Sequence, residues 1–188
     1  RRCLMLSLEP LIRQLHQLVV KDTESKIAGT YRNTDVQILG SKHRPPPGYQ
    51  VQEKMTKFFE WMTESKNKYH PVEFAALAHH RFVWIHPFFD GNGRTVRLAM
   101  NLLLMRSGYP PAIILKNDRK KYYDALNQAN NGSYKKLLLL MVQALERSLD
   151  IYLSAYPGTY EEYKSITTII EEEQMPYGQE YLSLLARQ

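Results

Sequence analysis

His86-Pro87-Phe88-Phe89-Asp90-Gly91-Asn92-Gly93-Arg94-Thr95-Val96-Arg97 is the stretch on which the reading of this chain turns. It interrupts two helical patterns. Upstream, Pro71 to about Trp84 reads as a helix with proline at its first position, where a missing N–H costs nothing. Downstream, a helix resumes from Arg94 to about Arg106 and stops at Gly108-Tyr109-Pro110-Pro111. Gly93 and Arg94 therefore fall at a helix N-terminus, where unpaired N–H groups and the helix dipole attract anions. Gly91 and Gly93 carry no Cβ, so the backbone there can take positive φ and turn its amides inward as a nest for phosphate. Arg94 and Arg97 share one face of the first turn and can clamp further phosphate oxygens. Asp90 offers a hard carboxylate beside the nest, the usual way of holding Mg²⁺ together with substrate phosphates. His86 titrates near neutrality and can take a proton from an attacking hydroxyl. These parts add up to phosphoryl or nucleotidyl transfer.

Rival motifs fail on spacing. Gly91-x-Gly93-x-x-Val96 lacks the third glycine of a dinucleotide fingerprint and follows no strand, and there is no G-x-x-x-x-G-K-[ST]. His79, His80 and His86 do not make H-E-x-x-H, and Glu73 is badly placed to help, which argues against zinc.

Further out, helical periodicity runs over Leu4 to Val20, Val51 to Thr63, Asp118 (a candidate cap) to Ala129, and Tyr134 to Leu153. Thr30 to Leu39, closed by Gly40, His43 and Pro45-Pro46-Pro47, reads as a short extended element. No repeat is visible. The 188 residues suffice for one well-buried domain. Apolar residues at 44% and charged residues at 23% exclude disordered, collagen-like and membrane classes. Leu137 to Val142, the longest apolar run, is too short to span a bilayer, and no signal-peptide layout is present. A single cysteine, Cys3, forms no internal disulfide and suits a reducing, cytoplasmic setting. The excess of 25 basic over 19 acidic residues fits nucleotides, nucleic acid or nothing in particular. The chain opens Arg1-Arg2-Cys3 without Met and reads as a fragment.

His86 to Arg97 resembles the signature of the Fic (filamentation induced by cAMP) family, H-x-F-x-[DE]-G-N-G-R-x-x-R, at every specified place. Pro71 to His79 and Asn101 to Pro111 resemble the flanking helices of its protein adenylyltransferase branch, and Tyr122-Tyr123 with Asn130 its adenine-side helix. The resemblance covers Thr30 to about Leu153. It implies an all-α fold, an orthogonal core of six to eight helices plus one small β-hairpin flap. It also implies transfer of AMP from Mg-ATP to a Ser, Thr or Tyr hydroxyl of a target protein, or of the chain itself, with release of pyrophosphate. His86 would be the general base and Asp90 the Mg²⁺ ligand. Gly91, Asn92 and Gly93 would form the anion hole, with the Asn92 side chain also on phosphate, and Arg94 and Arg97 would hold the β- and γ-phosphates. Tyr122, Tyr123 and Asn130 would face adenine. The target would dock along the flap, about 31–44, by backbone pairing. Relatives often pair as homodimers, and no membrane partner is implied.

The expected organisation is an N-terminal helix and lead-in over 1–29, a catalytic core over 30–156, and an acidic linker over 157–188. That last stretch runs into a segment, from Met175, resembling the truncated start of a winged-helix or excisionase-like module, which would bring DNA as a partner. The family's restraining motif [ST]-x-x-x-E-[GN] has no full match and is expected upstream of residue 1. Removal of AMP, or transfer from another nucleotide donor, would use the same motif. A nucleotide-sensing DNA-binding regulator without catalysis is a third reading, against which an intact His86 speaks. Among remaining residues, His79 and His80 read as structural, His16, His43 and His70 as surface, and Phe88 as the anchor of the loop in the core.

Overall fold

The computed structural model describes residues 8–155 apart from 24, 40 and 42. Its regular elements are helical: α1 (Leu8–Val20), α2 (Val51–Ser65), α3 (Pro71–Ile85), α4 (Asn92–Arg106), α5 (Arg119–Asn130) and α6 (Lys135–Ser154). No strand occurs among the described residues. The all-α expectation therefore holds. The winged-helix reading and the whole of the 157–188 linker assignment lie outside the described residues.

α3 is the central helix because it is apolar almost all round. Val72, Phe74 to His80, Phe82 and Ile85 are all buried, the pattern of a helix with neighbours on every side. One core lies between α3, α4, α5 and α6, built on Ala75, Ala76, Met100, Leu104, Leu126 and Met141. The other joins α1, α2, α3 and α4 through Ile12, Met55, Phe58, Phe82, Phe88 and Val96. Burying Phe82 and Phe88, both essentially inaccessible, stabilises the second core by about 1.5–3 kcal/mol each. The α3–α4 hairpin is shared by both cores, and its connection is the 86–91 loop. Two cores thus grip the helices on either side of the motif.

α1 belongs to this assembly. Ile12, His16 and Val20, four apart, form its buried line and face α4. His16 is 0% exposed, which overturns its reading as a surface residue. Leu18, expected on the apolar face, is 65% exposed instead.

The expected hairpin over 31–44 is not formed as paired strands among the described residues. Backbone groups that would pair across a hairpin go elsewhere. Arg32 N–H donates to Pro87 O at 2.9 Å and Ser41 N–H to Ile38 O at 3.1 Å. The segment carries no regular structure among its described residues and leads into Pro45-Pro46-Pro47 and a short 3₁₀ turn, Gly48–Gln50, that starts α2. Asp118 likewise does not cap α5 with its side chain. Its carboxylate pairs with Arg147 at 2.9 Å.

Candidate active site

The motif loop begins where α3 ends. His86 closes that helix in the left-handed region, φ 52° and ψ 61°, with its N–H on Phe82 O at 2.9 Å. A non-glycine residue there costs roughly 1–2 kcal/mol, and among the described residues no other non-glycine residue has positive φ. Phe88 is driven into the core, stacked on His16 at 3.7 Å with the rings within 4° of parallel. Asn92 ties the loop from inside: Phe88 N–H donates to Asn92 Oδ1 at 2.8 Å and Asn92 Nδ2 donates to Phe88 O at 2.7 Å. The Asn92 side chain, expected on phosphate, is thus engaged in bracing the loop.

His16 grips the same loop from α1. Its Nδ1 accepts from Gly29 N–H at 2.8 Å, so the ring proton sits on Nε2 and is donated to Asp90 O at 2.9 Å. Sequence reasoning missed this residue, although a histidine in register with Ile12 and Val20 was the available signal.

α4 starts at Asn92, two residues earlier than the periodicity suggested, with Gly91 as its cap. The two motif glycines differ. Gly91 takes φ 74°, and a Cβ there would lie 2.8 Å from Val20 Cγ1 on α1. Gly93 is helical, and the nearest atom to its would-be Cβ is Arg97 Nη1 at 3.4 Å. Only Gly91 therefore uses the left-handed freedom expected of both; Gly93 keeps the mouth of the helix N-terminus open. With Thr95 N–H already on Gly91 O, the preceding amides of the first turn have no helical acceptor.

One pocket gathers most of the expected residues. His86, Asn92, Gly93, Arg97, Tyr122, Tyr123 and Asn130 line it together, with Ile38, Ser41 and His43 from the extended segment as its opposite wall. Arg97 stands against Tyr122, whose phenol also lies 2.8 Å from His79 Nε2. Asn130 accepts a hydrogen bond from His80 Nε2 at 2.9 Å. His79 and His80 are thus structural, as expected, and hold two pocket residues in place. His43 donates from Nε2 to Trp84 O at 2.8 Å, so it is a wall residue rather than a plain surface one. Asp90, Gly91 and Arg94 are not among the residues that line this pocket; Asp90 and Arg94 are paired at 3.0 Å and half exposed, with Arg94 Nη1 also on Val19 O at 3.1 Å. A separate crevice between α1, α2, α3 and α4 is lined mainly by apolar side chains such as Leu11, Phe59 and Leu103, with His79 and Arg106 among its few polar ones.

The expectation that His86 titrates near neutrality is not met. The His86 pKa is lowered to about 4, first by burial and then by the charge of Arg32, so the ring is neutral at physiological pH. His79 is lowered to about 3, and His80 and His16 are lowered as well, in each case chiefly by burial. Unfolded, these rings take protons near 6.5. Below that value the unfolded chain holds more protons than the folded one, so stability is lost as pH falls. Each ring adds a slope of about 1.4 kcal/mol per pH unit until its own folded pKa is reached. Urea midpoints should therefore drop steeply below pH 6.5, and His79→Gln should flatten that slope by one proton's share. An identical slope in the variant would contradict the assignment.

Asp90, the expected Mg²⁺ ligand, is an exposed carboxylate just before the N-terminus of α4, an oxygen donor of the kind Mg²⁺ takes together with substrate phosphates. Among the described residues no group of three or more His, Cys, Asp or Glu gathers to cage a metal unaided.

The Fic/DOC family model matches residues 6–104. The chain belongs to the Fic/DOC family. It is 41% identical over 165 residues to "Protein adenylyltransferase Fic" of Nematostella vectensis, covering 86% of this Fic chain and 38% of that protein. To the protein of the same name from Drosophila grimshawi it is 44% identical over 145 residues, covering 77% and 30%. Among solved structures, "Fic-1 (aa134 - 508) from C. elegans" superposes with a TM-score of 0.69 at 36% identity, covering 77% of this chain and 42% of that one. The Fic chain thus spans about a third of the length of the curated relatives it matches. The family match includes α1, in keeping with its grip on the motif loop. No helix of the described residues is long and apolar enough to cross a membrane.

Proposed function

We propose that this Fic chain transfers AMP from ATP to a protein hydroxyl. One observation carries the reading: a neutral His86 shares a pocket with the N-terminus of α4 and with Arg97. A base and an anion cradle meet in one cavity, as nucleotidyl transfer needs. The names of the relatives, protein adenylyltransferases at 41–44% identity, support the same chemistry.

In this reading the nucleotide's phosphates lie over the free amides of Asn92, Gly93 and Arg94, with the Arg97 guanidinium on their outer oxygens. The target's hydroxyl oxygen attacks the α-phosphorus, its proton passes to the His86 imidazole, and the bond to pyrophosphate breaks. Adenine lies toward Tyr122, Tyr123 and Asn130. Asp90 would hold Mg²⁺ with the phosphates, and the ion would neutralise charge on the departing pyrophosphate. Asp90 must leave Arg94 to do so, an exposed pair worth little in itself. The 31–44 segment, without strand partners among its described residues, would present its backbone to a target strand.

Incubation with ATP labelled at the α- or the γ-phosphate tests this. Label on protein from the α-position alone is the expected result. Label from γ would make it a kinase-like variant. Label from neither, with release of AMP from a modified protein, would favour the reverse reaction. Label from neither, with salt-dependent DNA binding by the full chain, would favour a regulator. Asp90→Ala should lower the labelling rate and abolish its Mg²⁺ dependence; a metal requirement unchanged in the variant would move the metal elsewhere.

A further inference from the structure

Arg32 is 6% exposed, and its guanidinium is spent on backbone carbonyls. Nε donates to His86 O at 2.8 Å, Nη2 to Ile85 O at 3.3 Å and Pro46 O at 2.7 Å, and Nη1 to Thr34 O at 2.8 Å. Its own N–H takes the next carbonyl, Pro87 O, at 2.9 Å. Three consecutive carbonyls, 85 to 87, are therefore held by one residue, and they bracket the left-handed His86. The other two acceptors lie at opposite ends of the 34–46 segment, which supplies Ile38, Ser41 and His43 to the pocket wall. A second contact shuts the same neck. Gly48 N–H donates to Asp35 Oδ1 at 2.8 Å, and the backbone passes so close that a Cβ on Gly48 would lie 2.3 Å from Asn33 C.

We propose that Arg32 is a positioning residue for His86, its buried guanidinium fixing the turn that aims the imidazole and tying to that turn both ends of the segment that walls the pocket. The inference rests on the reading of His86 as the base. Arg32 is not among the residues that line the pocket. The shape of guanidinium is what the place demands. A planar fork with five N–H donors in fixed directions can reach carbonyls on two sides at once, whereas a lysine ammonium presents three donors from one point. The nest at the start of α4 and the Arg97 side chain are held by α4 itself. Loss of the fork should therefore slow the chemical step and leave nucleotide binding nearly intact.

Arg32 also brings charge. The groups facing His86 are Arg32 and His43 from the 31–47 segment, the Val83 carbonyl from α3 and Asp90 from the loop, with Arg97 of α4 on the same pocket. Arg32 is the foremost of these in disfavouring the imidazolium. Removing its charge should let the ring protonate at higher pH in Arg32→Gln than in Arg32→Lys, which keeps the charge, a difference that loosened packing common to both variants does not produce.

The test compares Arg32→Lys, Arg32→Gln and His86→Ala in self-labelling with α-labelled ATP, alongside an NMR titration of the His86 ring. For Arg32→Lys the expected result is a maximal rate lowered roughly 10–100-fold with KM for ATP within about twofold, the signature of lost positioning. For Arg32→Gln the same loss should come with a His86 titration midpoint moved upward. A wild-type maximal rate in Arg32→Lys, with His86→Ala inactive, would overturn the inference alone. So would a loss carried by KM with the midpoint unmoved. Retained transfer in His86→Ala would instead remove the base reading beneath it. Where Arg32→Gln fails to fold, the rate-against-KM split in Arg32→Lys decides.

Discussion

His86→Ala is expected to lower AMP transfer by roughly 10²–10⁴-fold, the usual contribution of a positioned general base. ATP binding should survive, because the amides of α4 and the Arg97 side chain that would hold it do not depend on the imidazole. Burial and the Arg32 charge keep the ring neutral; a neutral ring accepts a proton, and a cationic one does not. The substitution also replaces a left-handed histidine by a left-handed alanine, a conformation both side chains resist similarly. Stability should therefore change far less than rate. Nucleotide affinity, thermal unfolding and labelling from the α-phosphate, measured together, separate these effects. Transfer at the wild-type rate would remove His86 from the mechanism.

The second large effect divides two glycines that the motif presents as equals. Gly91→Ala should destabilise the fold by about 2 kcal/mol or more and disable transfer. Its φ of 74° is costly for any residue with a Cβ, and that Cβ would press on Val20 Cγ1 at 2.8 Å and Val19 Cγ1 at 3.2 Å. The loop can yield only by lifting off α1, which would misplace Asp90 and the start of α4. Gly93→Ala should do the reverse to stability. Its position is helical, and alanine in a helix is favoured over glycine by up to about 1 kcal/mol. The added methyl projects beside Arg97 Nη1 into the pocket, so nucleotide affinity should fall while the unfolding midpoint rises. Urea unfolding and ATP titration of the two variants check this, and equal shifts in the two midpoints would contradict it.

Several helices were legible in the sequence from their 3.6-residue patterns, whereas α3, apolar almost all round, was placed by its ends. Proline at 71 marked one start and the Gly108-Tyr109-Pro110-Pro111 run one stop. The candidate site was legible because the residues proposed for its chemistry are nearly consecutive, all within His86 to Arg97. What escaped is support brought in from afar. His16 precedes Asp90 by 74 residues and Arg32 precedes His86 by 54. Neither belongs to a local motif, and a lone histidine or arginine defaults to the surface. The flap misled for a related reason. Its residues have strand-like composition, but β-propensity requires a partner strand, and here the backbone of Arg32 is bonded to the motif turn instead.

The loop from Phe88 to Asn92 is closed by its own side chain at 2.7–2.8 Å and pinned by a histidine whose proton position is fixed. These bonds need no nucleotide. In the proposed reaction the cradle would therefore be preorganised, its amides and dipoles in place before phosphate arrives. Association would not be drained by ordering this stretch of chain. The free energy of nucleotide binding would be left for the moment when charge shifts toward the departing pyrophosphate, where fixed dipoles do most for rate.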